Sequence, residues 1–156
     1  MKSGLIELLA AVLFGVAWSG HGLAADDEAD KFKDVQIEIV NVADGIYMLV
    51  GQGGNIGVSV GDDGIFLIDD QYAPLTARIK AAVSKLSMQP VRFVLNTHWH
   101  GDHTGGNENL ARAGTVVVAH DQVYERMTRE NFYSIFNDKV PPSPKAALPV
   151  ISFNDT

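Results

Sequence analysis

The chain has 156 residues, the length of one domain. Its 46% hydrophobic and 20% charged residues exclude a disordered tail, a collagen-like repeat and a multi-span membrane protein. A net charge of -7 repels phosphate backbones, so nucleic acid is not an expected partner, and the lack of cysteine excludes disulfides, thiolate nucleophiles and cysteine-ligated zinc.

In chain order, the first segment reads as an address. Met1-Lys2 is followed by an apolar run over residues 8–18. As a helix it would span about 16 Å, roughly half a hydrocarbon core. Small residues then lead through Leu23-Ala24-Ala25 to Asp26-Asp27-Glu28. This is the layout of a secretory signal peptide over 1–25. The mature domain is then 26–156, secreted or periplasmic, with no stable membrane insertion after cleavage. The competing reading is a buried or partner-binding N-terminal helix.

From there the apolar residues alternate. Val35, Ile37 and Ile39 predict a strand, residues 41–45 a turn, and residues 46–50 a second strand. Gly51-Gln52-Gly53-Gly54-Asn55 is a weak phosphate-loop signal, since no lysine follows and a strand comes next, so it reads as a plain loop. Residues 56–60 and 65–68 predict two more strands around the hairpin turn Gly61-Asp62-Asp63-Gly64. The pattern then turns helical. Leu75, Ile79, Ala82, Val83 and Leu86 recur at helical spacing after Pro74. Beyond Pro90 a largely apolar strand covers 91–95, followed by a polar loop over 96–107, a short helix over 108–113 and a strand over 115–119. A helix is predicted over 121–136, with Glu125 and Arg129 as an i, i+4 pair and Tyr124, Met127, Phe132 and Phe136 as its buried face. Residues 141–149 read as extended and 150–153 as the start of a strand.

The chemistry is concentrated in Thr97-His98-Trp99-His100-Gly101-Asp102-His103-Thr104-Gly105-Gly106-Asn107. Four potential metal ligands fall within six positions. In extended backbone, residues i and i+2 project to the same side, so His98 and His100 reach one ion. Asp102 and His103 follow where the chain must turn, and reach a second ion beside it. Imidazole and carboxylate without thiolate suit zinc best, with iron or manganese as alternatives. Ions this close acidify a bridging water and yield a hydroxide nucleophile. Trp99 alternates away from this face and is expected to pack. His120 is expected at the surface or capping a helix.

Residues 97–107, with the order of elements around them, resemble the metallo-β-lactamase superfamily over roughly 35–153. The resemblance implies an α/β fold, the αββα sandwich of that family, of which this chain covers about the first half. It implies that His98 and His100 bind a first zinc and that Asp102 and His103 bind a second, Asp102 also serving catalysis. It places Asp69 behind the ligands as acceptor of an imidazole N–H, with Asp70 as a solvated loop residue. The function implied is zinc-dependent hydrolysis, hydroxide attacking a β-lactam, ester or thioester carbonyl of a small-molecule substrate. The family's further ligands come from a second half, and no histidine follows His120 here. A complete site takes two zinc ions, and this chain alone is expected to hold at most one, weakly. Two functions follow from this: the N-terminal part of a hydrolase completed by a C-terminal half or a dimer partner, or a non-catalytic metal-binding or interaction module with an exposed apolar sheet face.

Overall fold

Alternation and turn chemistry account for the first four strands. In the computed structural model, which describes residues 31–134 and 137–155, they are β1 (Glu38–Ala43), β2 (Ile46–Val50), β3 (Ile56–Gly61) and β4 (Gly64–Ile68). They pair antiparallel in sequence order. The proposed signal segment lies outside the described residues. β1 begins and ends later than its apolar alternation suggests, because the turn is the tight pair Asp44-Gly45, Gly45 having φ +70°. Val35, Ile37 and Ile39 still pack against the core.

A 3-10 turn (Ala73–Leu75) leads into α1 (Thr76–Leu86), and the chain returns as β5 (Val91–Asn96) beside and parallel to β4. Two short helices follow, α2 (Gly101–Thr104) and α3 (Asn107–Arg112), then β6 (Val116–His120), parallel to β5. α4 (Asp121–Met127) is next, and a small hairpin, β7 (Asn131–Tyr133) with β8 (Asp138–Val140), stands apart from the main sheet. β9 (Ile151–Phe153) closes the edge beside β6, giving the order β1-β2-β3-β4-β5-β6-β9. Among the described residues no helix is long and apolar enough to cross a membrane.

The helix expected over 121–136 ends nine residues early. Asn131 explains the stop: its side-chain amide donates to the carbonyls of Arg126 (2.6 Å) and Arg129 (2.9 Å), satisfying acceptors that a continued helix would use. Among the described residues Glu125 and Arg129 form no ion pair, since Arg129 lies past the last turn. The buried face is Val123 and Met127 rather than the longer aromatic set. Tyr124 and Phe132 are exposed, and Phe136 lies outside the described residues.

Ile65, Leu67, Val94 and Val117 point to one face of the sheet and are buried with Leu75, Ile79, Val83 and Leu110 of the helical layer. Burying each such side chain contributes about 1.5–3 kcal/mol. The opposite face carries Phe66, Ile68, Phe93, Leu95 and Val118, with Phe66 and Ile68 over 40% exposed. All the parallel strands point their C-terminal ends the same way. The functional motif leaves the sheet at that end of β5, the position where open α/β sheets place their ligands.

Candidate metal centre

β4 and β5 run parallel, so their ends lie side by side, and the residues just past them meet. Past β4 come Asp69, Asp70 and Gln71; past β5 come Thr97 and the histidines. Asp69 N–H donates to the Leu95 carbonyl (2.9 Å), extending the ladder by one bond before the chain leaves it. Asp69 and Gln71 then adopt left-handed backbone (φ +64° and +57°). Non-glycine residues enter that region at a cost, and such residues cluster at working sites.

The motif's turn is built on one carbonyl. His100 is extended, and its carbonyl accepts the N–H groups of His103 (2.9 Å) and Thr104 (3.0 Å) and the Thr104 hydroxyl (3.1 Å). The resulting single turn, α2, carries Asp102 and His103 back toward His98 and His100. The His98 ring lies 4.6 Å from that of His100 and 4.0 Å from that of His103, between centroids. His103 Nε2 is 3.3 Å from Asp102 Oδ2. The four residues singled out from the sequence therefore form one cluster. Asp69 joins the cluster from behind: it, His98 and His103 each offer a donor atom within 4.8 Å of the others.

Asp69 organises the protons of the cluster. Its carboxylate accepts from the Thr97 N–H (2.8 Å) and the Thr97 hydroxyl (2.7 Å), and lies 2.8 Å from His103 Nδ1. A carboxylate only accepts, so His103 carries its proton on Nδ1. The Thr97 hydroxyl spends its proton on Asp69 and therefore accepts from His98 Nδ1, 3.0 Å away. In their neutral forms both imidazoles present a bare Nε2. A bare Nε2 facing a carboxylate oxygen at 3.3 Å is an acceptor against an acceptor, an arrangement that a cation between them relieves. This is how a carboxylate fixes the tautomer of a metal-binding histidine. Burial, with His103 and His100 as neighbours, holds the His98 pKa below its ordinary value and so keeps the ring neutral.

Asp70 is not solvated. It is 1% exposed, its Oδ1 accepts from the Gly106 N–H (2.8 Å), and its Oδ2 has no partner. Burial, together with the adjacent Asp69 charge and against the Gly106 hydrogen bond, pushes its pKa up to about 8. Its neighbours Asp69 and Gln71 are buried as well, because the motif loop closes over the end of β4.

Trp99 packs against Ala119, Val123 and Met127. His120 caps α4, its Nδ1 accepting from the Gln122 N–H (3.1 Å). The two line one open cleft of about 470 Å³ with Thr97, His98, Gln122 and Arg126.

Three further features belong to the site. The 51–54 loop lies directly on Asp102 and His103. Tyr133 of β7 sets its ring 4.9 Å from His100. Tyr72 packs beside Asp102 against the same loop at Gly53, and burial, then the Asp102 charge, raises the pKa of both phenols, which therefore stay protonated. Three glycines in four residues were the visible signal for the loop, but its place against the motif depends on the β2–β3 register. Tyr133 was masked by a spacing that also fits a helix.

Comparison with known proteins gives a consistent picture. The family profile described as the metallo-beta-lactamase superfamily matches residues 50–155. A metallo-beta-lactamase from Cronobacter sakazakii, a HARLDQ motif mutant, superposes with a TM-score of 0.64 at 22% identity, over 76% of this chain and 48% of that one. BJP-1, a subclass B3 metallo-beta-lactamase of Bradyrhizobium japonicum, gives 0.60 at 26% identity, over 78% and 48%. Among curated proteins, the 2,4-dinitroanisole O-demethylase subunit alpha of a Nocardioides species (strain JS1661) is 32% identical over 73 residues, 46% of this chain and 22% of that protein. The chain thus spans about half the length of the solved structures and less than a quarter of the curated relative.

Proposed function

The chain belongs to the metallo-beta-lactamase superfamily, and from that premise we propose that it carries the metal-gripping part of a zinc-dependent hydrolase acting on a β-lactam, ester or thioester carbonyl. The observation that carries this reading is the hydrogen-bond arrangement around Asp69, which engages Nδ1 of His103 directly and Nδ1 of His98 through Thr97, and so turns both Nε2 atoms toward the cluster, that of His103 against Asp102. Neutral imidazoles and a carboxylate without thiolate match the donor preferences of zinc.

His98 and His100 would hold one zinc, Asp102 and His103 a second. Zinc held there acidifies a water molecule toward neutrality and polarises a carbonyl oxygen. The protein's own contribution is orientation. Asp69 locks His103 directly and His98 through Thr97, and the one-turn helix α2 fixes the angle of Asp102. Trp99 and Tyr133 wall the His100 side, and the 51–54 loop shields Asp102 and His103. The same reading takes residues 1–25 as an export signal and a small molecule as the substrate. The resemblance to metallo-beta-lactamases supports it over a metal-binding module without catalysis.

His98→Ala and Asp102→Ala are each expected to cut bound zinc sharply in the purified protein, measured by plasma emission at equilibrium with a buffer of fixed zinc concentration. Undiminished zinc in both variants would overturn the ligand assignment. The 156 residues supply four ligands of a two-zinc site, so at most one weakly held ion is expected on them alone.

A further inference from the structure

We infer that Gln71 is a positioning residue of this centre: its side chain clamps the 51–54 loop onto His103 and Asp102 and thereby holds His103 in the orientation Asp69 selects. The inference rests on the metal-binding reading above and names a residue that reading does not use.

Gln71 is fully buried in left-handed backbone, an uncommon place for a long polar side chain. Its two ends are tied to different segments. The side-chain amide donates to the Gly54 carbonyl (2.5 Å), and its own backbone carbonyl accepts from the Gly106 N–H (3.1 Å), just past the motif helix. His103 lies between the segments that Gln71 joins. From one side Asp69 grips Nδ1; from the other the backbone of Gly54 rests on the ring. A β-carbon built on Gly54 would stand 2.3 Å from His103 Cε1 and 2.6 Å from Nε2, and one on Gly53 (φ +87°) would stand 2.7 Å from Asp102 Cβ. A loop can be drawn this close only where it has no side chains, and drawing it there requires a tether. Gln71 is the tether, and Gly51 leaves room for it: a β-carbon there would meet Gln71 Oε1 at 2.6 Å. Without the tether the loop can lift, the imidazole can rotate away from Asp69, and the acceptor pair facing the ion loses its geometry.

The test compares the full chain with Gln71→Met, which keeps length but removes the donor, and with Gly54→Ala, which keeps the clamp but pushes a methyl into the imidazole. Gly61→Ala is the control, since a β-carbon there meets nothing within 4 Å. Zinc affinity is read by competition with a chromophoric chelator. The exchange rate of the His103 Nδ1–H is read by NMR in the metal-free protein, a signature that a general loss of stability with the fold intact would not produce. Both variants are expected to bind zinc at least about ten-fold more weakly, the range seen when groups supporting metal ligands are lost. Both should exchange the Nδ1 proton faster, with Gly61→Ala unchanged. If Gln71→Met does not fold, Gly54→Ala decides from the loop side. Unchanged affinity and exchange in a folded variant would overturn the inference. A wild-type chain that binds no zinc would overturn the metal reading instead, and the metal-free exchange rates would still decide whether Gln71 clamps His103.

Discussion

Two neighbouring carboxylates past β4 do opposite jobs, and their surroundings explain why. Asp69 accepts three hydrogen bonds, from the Thr97 N–H, the Thr97 hydroxyl and His103 Nδ1. Asp70 has one donor, an orphan oxygen and no access to water, so it is a neutral acid up to about pH 8. The unfolded chain gives up this proton near pH 4. The unfolded state therefore binds fewer protons between about pH 4 and pH 8, and the stability contributed by the neutral carboxyl is complete at the acid end and lost as pH rises through that window. Asp70→Asn keeps the shape and the acceptor for Gly106 but cannot ionise. The urea midpoint of the wild type, measured with chelator at pH 5, 6.5 and 8, should fall more steeply than that of Asp70→Asn. The variant should be the more stable protein at pH 8. Parallel curves would contradict the account. At this scale the histidine cluster was legible in the sequence, because i, i+2 spacing and a following turn constrain the side chains whatever the fold. The burial of Asp70 and Gln71 was not, because it depends on the distant segments, at Gly54 and Gly106, that close over the end of β4.

The elements show the same division between local and tertiary causes. β2 to β6 and α1 were legible because apolar period and turn residues agree. The stretch after β6 was not: Tyr124, Met127 and Phe132 fit one helical face, and nothing in that period announces a stop at Met127. The stop is made by Asn131, whose amide reaches back to two carbonyls at the helix end. That also frees Asn131–Tyr133 to pair with β8 and brings Tyr133 to His100. Each net hydrogen bond is worth about 1 kcal/mol. Asn131→Ala is thus expected to cost about 1–2 kcal/mol in urea unfolding and to loosen the stacking of Tyr133 on Trp99. A loss below about 0.3 kcal/mol would show that the stop has another cause. β1 is a milder case: its alternating residues pack on the core as expected, but pairing begins only at Glu38, because the Asp44-Gly45 turn sets the register from the other end.

Across the whole molecule, β4 and β5 are apolar on both faces, the pattern of strands meant to be covered twice. Helices cover one side; Phe66, Ile68, Phe93 and Leu95 line the other. The sequence runs 65–68 and 93–95 announced this, since both are unbroken apolar stretches. The parallel arrangement of β4, β5 and β6 then brings Asp69, the histidine motif and His120 to one end of the sheet. The large sheet, the helical layer and the cluster therefore form a single design in which strand ends deliver ligands. On the function proposed above, this end of the sheet is a zinc centre built on imidazoles. The most direct measurement is zinc K-edge X-ray absorption on the zinc-loaded protein. The account predicts a first shell of nitrogen and oxygen at about 2.0–2.1 Å, with outer scattering from imidazole rings that diminishes in His98→Ala. Zinc lacking imidazole scattering, or a spectrum unchanged by that substitution, would contradict it.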